Sequence, residues 1–141
     1  QRGIDCLDQV RQRADRGAGT GALIFVIADF NRDVANLHSR LGQLCQRHSV
    51  VLVPVDDPAD STLPAMGRAL FRGPDGKMIE VDTDNKQGRR TYAENWQRRR
   101  DELILMANKL RIAVIPVDTD KDVHRSLMEG LSMRARSRSY M

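Results

Sequence analysis

The sequence predicts an α/β protein, a doubly wound parallel sheet flanked by helices, and three stretches carry that prediction. Ala22-Leu23-Ile24-Phe25-Val26-Ile27-Ala28 is apolar at every position and stops at Asp29. Val50-Val51-Leu52-Val53-Pro54-Val55 runs into Asp56-Asp57, and Ile112-Ala113-Val114-Ile115-Pro116-Val117 ends at Asp118. A strand with no polar alternation must bury both faces, as parallel strands do between two layers of helix. Helical periodicities separate the three stretches, so right-handed helical crossovers are expected to join them.

The 141 residues, 40% hydrophobic and 30% charged, suit one globular domain with a real core. No apolar run approaches the roughly 20 residues that cross a bilayer, and no signal-peptide pattern opens the chain. The opening Gln1-Arg2-Gly3 lacks an initiator Met and reads as a piece of something longer. Cys6 and Cys45 have no C-x-x-C spacing and sit on apolar helical stripes. They are expected to be buried free thiols, which suits a reducing, cytoplasmic setting. The net charge of +4 permits an acidic partner without demanding one.

In chain order, Ile4, Leu7, Val10 and Ala14 predict a short helix over about residues 4–15. Gly17, Gly19 and Gly21 follow it. A phosphate loop leaves a strand and opens a helix; this run does the reverse and is read as a connector. Val34, Leu37, Leu41, Leu44 and Cys45 predict a helix over about 31–48 with Asn31 as N-cap. His38 and His48 are placed at exposed positions or helix ends rather than as metal ligands. After the second strand, Asp57 to Pro64 is a polar loop. Ala69-Leu70-Phe71, Gly73-Pro74-Asp75-Gly76 and Met78-Ile79-Glu80-Val81 then predict a β-hairpin lying over an end of the sheet.

Tyr92, Trp96, Leu103, Ala107 and Leu110 give the longest helix, about 91–110, with Trp96 as a core anchor. Arg98-Arg99-Arg100 is read as a solvated face from which Arg99 and Arg100 can snorkel. Thr119 and Asp122 are spaced as a capping box for a last helix marked by Val123, Leu127 and Leu131. The ordered domain is expected over residues 1–131. A basic disordered tail, with Arg134, Arg136 and Arg138, is expected over 132–141.

Ligands of open parallel sheets bind at the carboxyl ends of the strands. Here every strand ends in acid: Asp29, Asp56 with Asp57, and Asp118 with Asp120. Such a rim could hold a hard cation through oxygen ligands, or the same residues could cap the helices that follow. Capping is favoured for Asp118 and Asp120, and Asp56 and Asp57 are divided between turn-making and a rim role. The acidic run from Asp118 to Glu129 imitates a calcium loop, but Val123 stands where the loop needs Gly, and that reading is discarded. A covalent aspartyl-phosphate mechanism lacks a Gly-rich phosphate cradle.

The order of Leu23 to Phe30, Val50 to Pro58, Leu63-Pro64, Val81-Asp82-Thr83, Arg90-Thr91-Tyr92 and Val117 to Asp120 resembles the C-terminal half of the bacterial domain-of-unknown-function-58 family, over about residues 4–131. The resemblance implies half of a von Willebrand factor A-like domain. It also implies a non-enzymatic adaptor or chaperone-like protein, with a MoxR-type AAA+ ATPase among its partners. In A-type domains a metal-ion-dependent adhesion site lies on the C-terminal rim, and Asp29 matches one of its ligands. The D-x-S-x-S ligands do not occur in this sequence, so Mg²⁺ is assigned to the full-length parent and none is expected here. If the first strand is the fourth of six, its open edge is expected to drive self-association. No catalytic or cofactor-binding residue is assigned.

Two other functions compete with the interaction module. One is a Mg²⁺-dependent phosphoryl-transfer or hydrolytic enzyme using the acidic rim. The other is nucleic-acid binding through Arg98 to Arg100 and the basic tail. With 3 Phe and 2 Tyr, stacking platforms are scarce, and no nucleic-acid partner is assigned.

Overall fold

The computed structural model describes residues 12–13, 16–17, 20–30, 34–72 and 76–139. The elements are β1 (Leu23–Ala28), α1 (Val34–Cys45), β2 (Ser49–Asp56), the single turn α2 (Pro58–Ser61), β3 (Arg68–Arg72), β4 (Met78–Asp82), α3 (Lys86–Lys109), β5 (Ala113–Val114), β6 (Val117–Asp118) and α4 (Val123–Ser139). Residues 12–13 and 16–17 are helical; the rest of the expected helix over 4–15 lies outside the described residues, as do Cys6, Asn31 and the turn residues Gly73 to Asp75.

The expected parallel α/β sheet is present. β2 is its centre, paired in parallel with β1 from Leu23↔Ser49 to Ala28↔Pro54 and with β5 and β6 on its other side. The third strand, expected as one run over 112–117, is two short pieces in one unbroken register. Proline explains the gap. Ile115 N donates to Leu52 O at 2.8 Å. The alternation of a parallel ladder would then send the amide at position 54 to the Ile115 carbonyl. Pro54 has no N–H to send, and Pro116 stands across from it, so a rung is lost between β5 and β6.

Helices cover both faces of β2. Val50 and Leu52 pack with Leu41 and Leu44 of α1 and with Leu103, Met106 and Ala107 of α3. Val51 and Val53 pack with Ile115 and Val117, and Leu127 and Leu131 of α4 close that side. Gly130 lets α4 come this near: a Cβ there would stand 2.5 Å from Ile115 Cγ2. β1 departs from the expectation of burial on both faces. Ile24 and Val26 join the α1–α3 core, whereas Leu23, Phe25 and Ile27 are exposed, Ile27 by 66%.

The hairpin forms as expected, as a separate two-stranded sheet with Ala69↔Val81 and Phe71↔Ile79 opposed. Gly76, at φ +82°, supplies the left-handed backbone at its turn. Thr83 fixes its base: the fully buried hydroxyl donates to Gly67 O (2.6 Å) and accepts from Met66 N (2.8 Å). Ala69 and Val81 near that base are half-buried, whereas the larger apolar side chains beyond it are exposed. Leu70 is 67% exposed, and Met78 and Ile79 are exposed as well.

Two helix ends differ from expectation. α3 begins at Lys86 rather than near Thr91, because the Asn85 side chain accepts from Gln87 N and Gly88 N. α4 continues to Ser139, so residues 132–139 are helical where a disordered tail was expected. Its first turn is capped by Asp122, whose Oδ1 accepts from Arg125 N, rather than by Thr119. His48, expected at an exposed or helix-end position, lies just beyond α1 and is buried, while His38 is exposed.

Candidate functional site: the strand-end rim

Because β1, β2 and β6 run parallel, Asp29 just after β1 and the last residues of β2 and β6, Asp56 and Asp118, lie at one end of the sheet. Asp56 is buried and pairs with a cation from across the core, Arg100 of α3, which is only 9% exposed. The Arg100 Nη2 donates to Asp56 Oδ1, and the guanidinium lies 5.3 Å from the centroid of the Trp96 ring one turn earlier. Arginine suits this position: its planar fork binds carboxylate and stacks on an indole together. Burial lowers the Arg100 pKa from its ordinary value, and the Asp118 and Asp29 carboxylates oppose that shift. One arginine thus lies in the field of all three strand ends.

Asp57 and Asp118 are also engaged in structure. Asp57 caps α2, accepting from Ala59 N at 2.9 Å, and its other oxygen accepts from the Thr119 hydroxyl at 2.7 Å. Those bonds hold the Asp57 carboxyl below the usual carboxylate range, the Ala59 amide contributing most. Thr119 N donates to Asp56 O at 2.9 Å, so the ends of β2 and β6 are tied by backbone and side chain together. Lys121 pairs with Asp118. Asp29, the metal-site candidate, is exposed at the tip of β1. The chain turns directly after it through Phe30 at φ +51°, a costly conformation for a bulky residue, held by packing of that ring on the α1–α3 core.

The rim therefore contains the acids that the sequence placed there, with their partners different from those expected. Capping accounts for Asp57 but not for Asp118, which takes Lys121 instead. Arg100 is the residue that sequence reasoning missed by assigning it to a solvated face. A signal was available: Trp96, Arg100, Leu103 and Ala107 follow one another at helical spacing, which puts an arginine on the buried stripe. Trp96 is half-buried against Arg100 rather than seated in either core.

A family model described as "Protein of unknown function DUF58" matches residues 3–102. The chain belongs to the DUF58 family. The match runs from before β1 through most of α3, and so includes Asp29, Asp56, Asp57, Trp96 and Arg100. Comparison of this DUF58 chain with curated proteins and with solved structures gives no match. None of its described helices is long and apolar enough to cross a membrane.

Proposed function

We propose that this DUF58 chain is a non-enzymatic protein-interaction module, half of a von Willebrand factor A-like domain, acting in the cytoplasm as an adaptor for a MoxR-type AAA+ ATPase. The observation that carries the reading is apolar surface without cover. Leu23, Phe25 and Ile27 on one face of β1, Leu70 and Met78 on one face of the hairpin, and Ile79 with Phe71 on its other face, are large and exposed. Exposed apolar groups clustered in this way mark interaction surfaces in folded proteins. A second support is that Asp56, Asp57 and Asp118 are engaged in ion pairs and caps, where a hydrolytic site would keep a carboxylate poised for a substrate.

The open edge of β1 also suits a second copy of the chain. Ser49 N donates to Ala22 O at 2.8 Å, and parallel-ladder alternation then turns the amides of Ile24 and Val26 toward β2. Those of Leu23, Phe25 and Ile27 point away from β2, to the side on which no described strand pairs with β1. Binding to a purified MoxR-type ATPase, measured by interferometry with the wild type and with an Ile27→Asp, Ile79→Asp double variant, tests the adaptor reading. The expected result is micromolar or tighter binding weakened at least tenfold in the variant. Mg²⁺-stimulated hydrolysis of a generic phosphoester that Asp29→Ala abolishes would instead favour the enzymatic alternative.

A further inference from the structure

The acidic rim invites a divalent ion, and the resemblance to A-type domains implies one at Asp29. The residues present do not fit that group. A hard cation needs several oxygen ligands converging on one point, and among the described residues no group of three or more His, Cys, Asp or Glu side chains is so arranged. The carboxylates nearest in the fold are already matched to cations or donors: Asp56 to Arg100, Asp118 to Lys121, and Asp57 to Thr119 and Ala59 N.

We infer that Arg100 is the resident cation at the centre of the rim, paired with Asp56 and in the field of Asp29 and Asp118, in place of a metal, so that this chain by itself recruits no divalent ion there. Three independent features support the assignment. The guanidinium is buried and bonded to Asp56, which a merely snorkelling arginine would not be. The Trp96 ring lies beside it, its centroid 5.3 Å from the guanidinium carbon, where a cation–π contact favours the charged arginine. Asp118 and Asp29, on the strands flanking β2, both act on its charge. A Mg²⁺ ion entering this edge would face a fixed positive charge at its centre and would have to displace it from Asp56.

The test is a thermal melt of the full chain in EDTA and in 5 mM MgCl₂ at matched ionic strength, for the wild type and Asp29→Asn. The inference predicts the same Tm in both solutions for both proteins. A site half-filled at a hundredth of that concentration would raise Tm by about 10 °C. A Mg²⁺-specific, saturable rise of that kind, lost in Asp29→Asn, would overturn the inference. The second arm compares Arg100→Met with the Asp56→Asn, Arg100→Met pair. Arg100→Met is expected to lower Tm more than the pair does, or to fail to fold where the pair folds, because it alone strands a buried carboxylate. Equal losses in the two would show that Arg100 acts by packing and would also overturn it. The wild-type melt is readable whatever becomes of the variants.

Discussion

β1 and β2 have nearly the same sequence character and quite different surroundings. Both are runs of branched and aromatic residues without polar alternation. β2 is bordered by strands on both sides and by helices on both faces, and Val50 to Val53 are all buried. Among the described residues β1 pairs with β2 alone, and only one of its faces joins the core. Protected edge strands usually display a charge, a proline or a bulge. Leu23 to Ala28 contains none of these. The difference teaches that an unbroken apolar run reports the environment a strand is suited to, without saying which part of the molecule provides it. The lack of edge protection on β1 is what a binding edge requires.

The contrast extends to the strand tips, where the largest effect is expected. Arg100→Met should destabilise the chain by about 3–5 kcal/mol, the usual consequence of leaving a buried charge unpaired, as read from urea unfolding. Asp29→Asn, at the exposed tip of β1, should change stability by no more than about 0.5 kcal/mol in the same assay. Similar losses at the two tips would break the distinction between them. Within the strands, Leu52→Ala on fully buried β2 should cost about 2–5 kcal/mol. Ile27→Thr on β1 should stay within about 0.5 kcal/mol while shifting light scattering toward monomer. On the face that α4 covers, Gly130→Ala should cost about 1–3 kcal/mol by forcing a methyl group into Ile115. A stabilising Gly130→Ala, as helix propensity alone would give, would mean that α4 does not pack there.

Much of this architecture was legible from the residues. The three apolar stretches ending in acid located the strands and the rim, and the Pro-Asp-Gly turn located the hairpin. What escaped depended on tertiary partners. The burial of Arg100 follows from Asp56, which is 44 residues away in the chain. Thr119 and Asp122 have the spacing of a capping box, but the helix begins at Val123, so Asp122 is its cap, and the Thr119 hydroxyl donates instead to Asp57 across the rim. The split of the third strand was written in Pro54 and Pro116, yet it becomes visible only once the register sets them opposite each other. The persistence of α4 to Ser139 has a local cause: arginine is a good helix former, so Arg134, Arg136 and Arg138 favour helix as readily as a solvated tail.

Amide hydrogen exchange tests the central claim most directly, namely that β1, which among the described residues pairs with β2 alone, is an edge strand beside a fully enclosed β2. At low micromolar concentration, Ile24 and Val26 should be protected while Leu23, Phe25 and Ile27 exchange quickly, and Val50 to Val53 should be slow without alternation. Raising the concentration should slow Phe25 and Ile27 as copies pair along that edge. Protection of Leu23, Phe25 and Ile27 equal to that of Val50 to Val53 at the lowest concentration would contradict the account, because the edge would already be covered.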